Sequence, residues 1–222
     1  MTIPVASNTD PKVLRVFVVR HGQTDHNVQK ILQGHKDIDI NERGASQAVL
    51  VGKVFASIPL DDIVSSDLVR CKNTVSEIAK FHPEVETAYT YNFRERNMGP
   101  VEGMYLTEAK EKYGDNYRNM GEQPKEFRER VESEWLKVVA KNNDSTNIVL
   151  CTHGGVISMW ANYLYREKGF KSRVNEEKLK FPFNTSITVI DVHKGTGEGW
   201  IQDFGSTEHL GGHFEVKDQE IR

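Results

Sequence analysis

The order of apolar and polar residues divides the chain into short apolar runs and longer amphipathic stretches. Residues 13–19 form the first run, and a continuous run of this length, rich in β-branched residues, is typical of a buried strand. The same pattern predicts four later strands, the last two joined as a hairpin by a glycine-rich turn at 194–199. These strands are expected at 62–65, 147–152, 185–192 and 200–204.

Between the strands, apolar residues recur at helical spacing and predict amphipathic helices. The first helix opens at Asn41 and ends before Pro59, and the second is capped by Ser66 or Asp67 and ends near Phe81. Three more helices are expected at 107–113, at 124–141 and from 154 to Gly169. The residues expected to face the core from the first helix are Ala45, Ala48, Val49 and Phe55.

Strands that alternate with helices predict an α/β protein, a three-layer α/β/α sandwich around a mostly parallel sheet. A chain of 222 residues, of which 37% are hydrophobic, is long enough for one sizeable core. We therefore expect a single domain over residues 13–211. The flanking residues predict a flexible N-terminal arm at 1–12 and a polar C-terminal tail at 212–222.

The composition narrows the choice of partners and compartment. A formal net charge of −3 gives the chain no general attraction for nucleic acid or for an anionic membrane. No apolar run approaches the roughly 20 residues that cross a bilayer, and residues 1–11 lack the apolar core of a signal peptide. Cys71 and Cys151 lie far apart and outside any Cys-x-x-Cys pair, which argues against a disulfide framework or a zinc site. We expect a soluble protein of the cytoplasm, with the nucleus as a further location.

Candidate chemistry first appears where the first strand ends, at Arg20, His21 and Gly22. The C-terminal ends of strands in a parallel sheet are where ligands bind, and a glycine there allows close approach of the backbone. Arginine offers a planar fork suited to phosphate, and histidine can act as a nucleophile near neutral pH. An isolated Arg-His-Gly sequence also fits an ordinary turn, so this motif alone does not settle the matter.

The pattern recurs where the 147–152 strand ends, because His153 and Gly154 follow it directly. Arg70 lies one turn after the end of the 62–65 strand. Taken singly, Arg70 fits a solvated helix charge, and His153 fits a capping or core histidine. Two strands that both end in His-Gly, with arginines beside them, together indicate a phosphoryl site. The glycines after His153 also open a helix, whose N-terminal amides attract anions.

The motif Arg-His-Gly-x-Thr-x-x-Asn is complete in Arg20, His21, Gly22, Thr24 and Asn27. With the later segments, this chain resembles the histidine phosphatase superfamily, which has the phosphoglycerate mutase-like fold, over residues 13–211. It is most similar in character to the small fungal broad-specificity phosphatases of that superfamily. The further segments that carry the resemblance are Gln33-Gly34, Ser65 to Thr74, Arg94-Glu95, Glu102-Gly103, Thr152 to Gly155, Asn184 to Ser186 and Glu208 to Leu210.

The resemblance implies a role for each catalytic residue. His21 would attack phosphorus and form a phosphohistidine, while Arg20 and Arg70 would neutralise the phosphate. His153 would stabilise charge in the transition state, and Glu95 would donate a proton to the leaving group. Substrate-binding roles are implied for Arg20, Thr24, Asn27, Gln33, Gly34, Arg70, Glu95 and Gly154. The alternative proton donors are Glu102 and Glu108, and the alternative role for Glu95 is a surface ion pair with Arg94 or Arg96.

No cofactor or metal is expected, since arginines and histidines supply the positive charge and the remaining histidines lack ligand spacing. The leading function is a phosphomonoester hydrolase of broad specificity for small phosphorylated metabolites. The alternatives are a phosphoglycerate mutase, a sugar-bisphosphate phosphatase, or a pseudoenzyme that binds a phosphorylated ligand. The expected partner is a small-molecule phosphate ester, and the chain is expected to be a monomer or a homodimer. By the resemblance, residues 84–130 form a lid that sets specificity.

One part of the lid argues for hydrolysis over isomerisation. In the mutases that the chain resembles, the loop that carries the acid has a tyrosine where this chain has Met98, and paired arginines follow further on. Residues 120–124 offer acid and amide side chains instead. A mutase must hold a second anionic group, which requires a second cluster of cations. Lys110, Lys112 and Arg118 remain candidates for part of such a cluster.

Overall fold

The computed structural model describes residues 5–214, and strands and helices alternate along them as the sequence predicts. The strands are β1 (Val13–Arg20), β2 (Asp62–Ser66), β3 (Thr87–Thr90), β4 (Asn147–Thr152), β5 (Lys171–Ser172), β6 (Ile187–His193) and β7 (Gly199–Ser206). The α-helices are α1 (Asp25–Gln29), α2 (Glu42–Phe55), α3 (Val69–Ala79), α4 (Leu106–Tyr113), α5 (Pro124–Lys141) and α6 (Gly154–Arg166). Residues 1–4 of the predicted arm and 215–222 of the predicted tail lie outside the described residues.

These strands form one mixed sheet in the order β3-β2-β4-β1-β6-β7-β5. β1, β4, β2 and β3 run parallel to one another, whereas β6 pairs antiparallel with both β1 and β7. In register, Arg20 lies opposite Thr152, and Ser65 lies opposite Cys151. The carboxyl ends of β1, β2 and β4 therefore meet at one edge of the sheet, and the residues that follow them converge there.

Side chains alternate across the sheet and build an apolar layer on each face. On β1, Leu14, Val16 and Val18 pack in the layer that contains α5 and α6, whereas Phe17 and Val19 pack in the layer that contains α2 and α3. The sheet is thus covered on both faces, and the predicted three-layer α/β/α sandwich is confirmed. The hairpin of β6 and β7 is confirmed as well.

The predicted buried face of α2 is confirmed in part, because Ala48 and Phe55 are fully buried. Ala45 and Val49 are exposed, and Val51 is buried instead. The cause is Gly44 on the buried face, where a Cβ would lie only 2.2 Å from the carbonyl oxygen of Gln23. Because Gly44 has no side chain, α2 can approach the loop at Gln23 closely. A pattern of apolar residues does not predict this contact.

α3 begins later than predicted because both expected caps are engaged elsewhere. The helix starts at Val69, whose backbone N–H donates to the carboxylate of Asp37 at 2.7 Å. Asp67 instead forms a bidentate ion pair with Arg94, at 2.6 and 2.7 Å. Ser66 contacts a histidine of the site described below. The helix also ends before the predicted position at residue 81.

Two short strands and two strand boundaries also differ from the expectations. β3 and β5 were not expected, because they contain only four and two residues and carry no apolar run. β6 begins at Ile187 and not at Thr185, because Thr185 has a left-handed φ of 57° that excludes it from the strand. β7 extends to Ser206, beyond the predicted end at residue 204.

The predicted lid, residues 84–130, contains parts of the main domain at both ends. β3 joins the sheet, and Phe127 of α5 packs in the apolar layer below it. The residues between β3 and α5 form most of a separate apolar cluster, to which a residue after α1 also contributes. Its chief members are Leu32, Met98, Val101, Ala109 and Tyr117. This cluster holds the segment that carries Glu95 and α4 beside the carboxyl edge of the sheet.

The described residues of the predicted arm contact the domain. The side-chain amide of Asn8 donates to the carbonyl of Val13 at 2.8 Å, and its backbone N–H donates to Asn147 at 2.6 Å. Val5 packs against the apolar layer of α2 and α3. Among residues 5–214, no helix has both the length and the apolar character that a membrane crossing requires.

Candidate active site

His21 directly follows β1, and its imidazole is held in one tautomer. The backbone N–H of His21 donates to Thr152 at 3.0 Å, and the amide of Asn184 donates to the His21 carbonyl at 3.0 Å. Its Nδ1 lies 2.7 Å from the carbonyl oxygen of Gly22. Because a carbonyl can only accept, Nδ1 carries a proton. In the neutral imidazole the lone pair then lies on Nε2, and this is the form that a nucleophilic histidine requires.

His153 directly follows β4 and is fully buried, with its ring centroid 5.2 Å from that of His21. The Nε of Arg70 donates to Nδ1 of His153 at 3.2 Å. Since a guanidinium cannot accept, Nδ1 is the acceptor and the proton lies on Nε2, 2.9 Å from the hydroxyl of Ser66. The end of β2 and the first turn of α3 thus fix the orientation of His153 between them.

Two guanidinium groups are buried at this edge of the sheet. Arg20, the last residue of β1, is fully buried and donates through Nη1 to the carbonyl of Pro182 at 2.7 Å. Arg70 donates through its two terminal nitrogens to the carbonyls of Lys36 and Gly34, at 2.8 and 2.9 Å. Backbone carbonyls orient both side chains, and the planar guanidinium groups that they hold at this edge suit phosphate oxygens.

Glu95 lies over the N-terminus of α6 and is 5% exposed. One carboxylate oxygen accepts from the backbone N–H of Gly155 at 2.9 Å, and the other accepts from the N–H of Arg96 at 3.0 Å. Of the two arginines expected as alternative ion-pair partners of Glu95, Arg94 binds Asp67, whereas Arg96 lies within the influence of the Glu95 charge. A helix N-terminus stabilises negative charge, so it holds the carboxylate at a defined position.

The loop that carries Glu95 is braced by side chains that the sequence did not single out for this role. His35 lies with Nε2 2.8 Å from the Glu95 carbonyl oxygen and therefore donates to it, and burial lowers the pKa of His35. One oxygen of Glu102 accepts two backbone N–H groups, from His35 and Met98, both at 2.9 Å. Glu102, an alternative acid, is thus an acceptor that joins two loops. Glu108, the other alternative, caps the start of α4.

A hydrogen-bond network at the N-terminus of α1 joins the side chains of Thr24, Asn27 and Gln33. Thr24 and Asn27 exchange hydrogen bonds of 3.1 Å between side chain and backbone, and the Thr24 hydroxyl donates to Gln33 at 3.1 Å. The amide nitrogens of Asn27 and Gln33 are buried and have no hydrogen-bond partner among the described residues. Thr24 therefore orders the loop, while the two amides retain donors that suit phosphate oxygens.

Thr74 links the nucleophile loop to the helix that carries Arg70. The backbone N–H of Gly22 donates to the Thr74 hydroxyl at 2.8 Å, and that hydroxyl donates to the Arg70 carbonyl at 2.6 Å. A Cβ on Gly22 would lie 2.7 Å from the carbonyl oxygen of Gly44, so only glycine allows this approach. The sequence signal for Thr74 was its place at the end of the Ser65 to Thr74 segment.

A cavity of about 380 Å³ opens above these residues. Six of the residues implied by the resemblance line it: His21, Asn27, Gln33, Gly34, Arg70 and Glu95. Arg20, Thr24, His153 and Gly154 are buried and are not part of the lining, and Gly155 faces the cavity in place of Gly154. Within residues 5–214, His, Cys, Asp and Glu side chains form no group of three or more that suits a metal ion.

The geometry brings together an imidazole with its Nδ1 hydrogen-bonded, two buried guanidinium groups, a carboxyl group and two amide nitrogens without a hydrogen-bond partner among the described residues. A nucleophile, a source of positive charge and a proton donor are the components that phosphoryl transfer to a side chain requires. A site that only binds anions does not require an imidazole oriented in this way.

Comparison with known proteins agrees with this geometry. The family described as the histidine phosphatase superfamily (branch 1) matches residues 16–200. The chain is 41% identical to a broad-specificity phosphatase of Saccharomyces cerevisiae, over 97% of this chain and 96% of that protein. It is 39% identical to a probable phosphatase of Schizosaccharomyces pombe, over 89% and 95% of the two chains. A phosphoglycerate mutase structure from Bacillus anthracis has the same fold, with a TM-score of 0.78 at 21% identity over 91% and 97% of the chains.

Proposed function

The chain belongs to the histidine phosphatase superfamily, and we propose that it hydrolyses phosphate monoesters of small metabolites through a phosphohistidine at His21. The observation that carries the proposal is the His21 tautomer. The Gly22 carbonyl oxygen lies 2.7 Å from Nδ1 and accepts its proton, so in the neutral imidazole Nε2 carries the lone pair that attacks phosphorus. The likeness to two fungal phosphatases supports hydrolysis, and the name of one supports a broad range of esters.

In the first step, Nε2 of His21 attacks phosphorus and forms the P–N bond as the bond to the ester oxygen breaks. Glu95, which is protonated beside the bound phosphate dianion in this proposal, gives its proton to the leaving oxygen, and the alcohol departs. In the second step, the Glu95 carboxylate takes a proton from a water molecule, whose oxygen attacks phosphorus; the P–N bond breaks, its electron pair returns to Nε2 of His21, and inorganic phosphate is released. Arg20 and Arg70 offset the phosphate charge in both steps, so no metal or cofactor enters the reaction.

His153 stabilises the transferring group in this proposal. Its ring lies 5.2 Å from that of His21, and Arg70 and Ser66 hold its two nitrogens in a fixed orientation. A preoriented polar group contributes to catalysis because it needs no rearrangement as charge develops. We place the reaction in the cytoplasm, a reducing compartment that suits the buried free thiols of Cys71 and Cys151.

The second candidate is an enzyme that acts on substrates with two anionic groups, as a mutase or a bisphosphatase does. The observation that favours it is the presence of Arg96 and Arg118 in the cavity lining. Both candidates share the phosphohistidine at His21, so they differ in the substrate and in the acceptor of the phosphoryl group.

The test is to trap the intermediate. Protein incubated with a phosphate ester labelled at phosphorus and quenched in alkali, where phosphohistidine survives, should carry the label. His21→Ala should carry none, and its turnover should fall by about 10⁴-fold or more, as for other covalent nucleophiles. The control is His193→Gln, at an exposed histidine on β6, which should label like the unmodified protein. Label or appreciable turnover in His21→Ala would refute the proposal.

A further inference from the structure

The segment that carries Glu95 has no regular backbone structure of its own. Residues 94–98 belong to neither a helix nor a strand, so their carbonyl groups must find hydrogen-bond partners elsewhere in the fold. Position matters here, because a displacement of about 1 Å costs a catalytic group roughly 10²-fold in rate. The groups that hold this segment therefore bear on the proton transfer proposed for Glu95.

The side chain of Arg130, on α5, binds three backbone carbonyls at this segment. Its Nη1 donates to the carbonyls of Asn92 and Arg94 at 2.7 and 3.2 Å, and its Nη2 donates to the Glu95 carbonyl at 3.3 Å. Nε and Nη2 also donate to the two carboxylate oxygens of Glu122, at 2.7 and 2.8 Å. A guanidinium carries five N–H groups, and these five hydrogen bonds use one from Nε and two from each terminal nitrogen. Arginine is the one side-chain type with enough donors for this set of contacts.

Glu122 extends the same hold to the residues after the acid. The carboxylate oxygen that accepts from Nη2 of Arg130 also accepts the backbone N–H of Asn97 at 3.2 Å, and the N–H of Glu122 donates to the Asn97 carbonyl at 2.9 Å. The side chains of Arg130 and Glu122 are only 11% and 12% exposed, so solvent screens their ion pair little. The pair thus joins the backbone on both sides of Glu95, which gives a role to the acidic side chain within residues 120–124.

Two helices therefore fix the proposed acid from opposite ends of its side chain. α5 fixes the backbone, and it is itself anchored by Val131 and Trp135, which are buried in the apolar layer on that face of the sheet. α6 fixes the carboxylate, through the 2.9 Å hydrogen bond from the N–H of Gly155. Groups held by rigid helices are positioned more precisely than groups held by mobile loops.

We propose that Arg130 is a positioning residue for the proton transfer, which it serves by setting the backbone of Glu95. This proposal rests on the phosphatase function proposed above, in which Glu95 is the acid. Arg130 binds the carbonyl of Glu95 and is not among the described residues that line the cavity, so it acts on the reaction through Glu95. Its loss should therefore slow chiefly those esters whose leaving group needs a proton.

The test replaces Arg130 by methionine, which keeps an apolar stem and removes all five donors. The matched control is Arg15→Met, because Arg15 also forms a bidentate ion pair, with Asp191 at 2.7 Å through both contacts, and is 17% exposed. Arg15 lies near the start of β1, at the opposite end of that strand from His21. Glu95→Gln is measured beside them as the reference for loss of the acid. For each protein, kcat/KM is measured for an alkyl phosphate and for p-nitrophenyl phosphate, and the folded state is checked by circular dichroism.

Arg130→Met should lower kcat/KM for the alkyl ester by about 10- to 10²-fold, and for the nitrophenyl ester by less than about 3-fold, because nitrophenolate leaves without a proton. In a Glu95→Gln background the same change should add little. Arg15→Met should leave the ratio of the two kcat/KM values unchanged. If Arg130→Met does not fold, Arg130→Lys keeps the charge with three donors, and a smaller loss with the same selectivity for the alkyl ester is expected.

Unchanged activity, or equal losses on both esters, in a folded Arg130 variant would overturn the positioning role while hydrolysis itself stands. If Glu95→Gln also lowers kcat/KM equally for both esters, Glu95 is not the acid, and the mechanism proposed above fails together with this proposal. Failure of the unmodified protein to hydrolyse either ester contradicts the phosphatase function itself.

Discussion

Replacement of Gly155 by alanine should displace the proposed acid while α6 remains folded. A Cβ on Gly155 would lie 2.2 Å from one carboxylate oxygen of Glu95 and 2.9 Å from its carboxyl carbon. Ordinary contact begins near 3.4 Å, so the carboxylate must withdraw by about 1.2 Å, the difference between 3.4 and 2.2 Å. The 2.9 Å hydrogen bond from the Gly155 N–H would break as a result.

The magnitude follows from the role of Glu95. A displacement of about 1 Å costs a catalytic group roughly 10²-fold in rate, and loss of a general acid costs about 10²- to 10⁴-fold. We expect Gly155→Ala to lower kcat/KM for an alkyl phosphate by about 10²-fold. For p-nitrophenyl phosphate, whose phenolate leaves without a proton, the loss should stay below about 10-fold. The free energy of unfolding, measured with urea, should not fall, because alanine is a better helix former than glycine by about 1 kcal/mol.

A double-mutant cycle separates this mechanism from a general effect on the site. If Gly155→Ala acts only through the carboxylate, it should add little to Glu95→Gln, and the double variant should be no slower than Glu95→Gln alone. Multiplied losses in the double variant would refute the reasoning, as would full activity of Gly155→Ala on alkyl phosphates. Equal losses on alkyl and nitrophenyl esters would assign the proton to another group.

Three further predictions concern metal, product and pH. Chelators should leave phosphatase activity unchanged and vanadate should inhibit it; activity lost in chelator and restored by a divalent ion would contradict the mechanism. A single phosphoglycerate isomer, incubated with a trace of bisphosphoglycerate, should release phosphate faster than the other isomer forms; the reverse ratio would indicate a mutase. Burial lowers the pKa of His209 from 6.5 to about 4, so protonation of this side chain opposes folding. The contribution of His209 to stability is fully present above pH 6.5 and is lost as pH falls toward 4. The free energy of unfolding in urea should therefore fall between about pH 7 and pH 5, and the fall should be about 1–2 kcal/mol larger in the unmodified protein than in His209→Gln. This figure allows for the partial exposure of the ring. Equal falls in the two proteins would show that His209 does not carry this pH dependence.

The C-terminal ends of β1 and β4 can be predicted from the sequence, because the end of an apolar run and a following histidine coincide at each. The apolar runs of β1 and β4 stop at fixed points, and His21 and His153 follow directly, so parallel pairing alone brings them together. The layers of the sandwich were predictable for the same reason, since β-branched runs and helical spacing specify which faces are buried. Short strands such as β3 and β5 give no such signal, because a few polar residues match no period.

The choice among acidic residues could not be made from the residues themselves. Glu95, Glu102 and Glu108 lie close together in sequence, and each fits a proton donor by residue type. Their surroundings differ only after folding: Glu102 accepts two backbone N–H groups at a loop junction, and Glu108 caps a helix. Glu95 alone among them reaches the N-terminus of α6, through Gly155. The resemblance to the histidine phosphatase superfamily, and not the residues themselves, favoured Glu95 over Glu102 and Glu108 as the proton donor.

The two halves of the cavity differ in how far the protein holds their side chains. Around His21 and Arg70, backbone hydrogen bonds from neighbouring strands and loops fix each side chain, so the proposed phosphate site has one geometry. Lys30, Arg118 and Lys180 are exposed, and long side chains of this kind can adapt to groups of different shape. A fixed site for the phosphate beside an exposed outer wall is the combination expected of a phosphatase that accepts many esters.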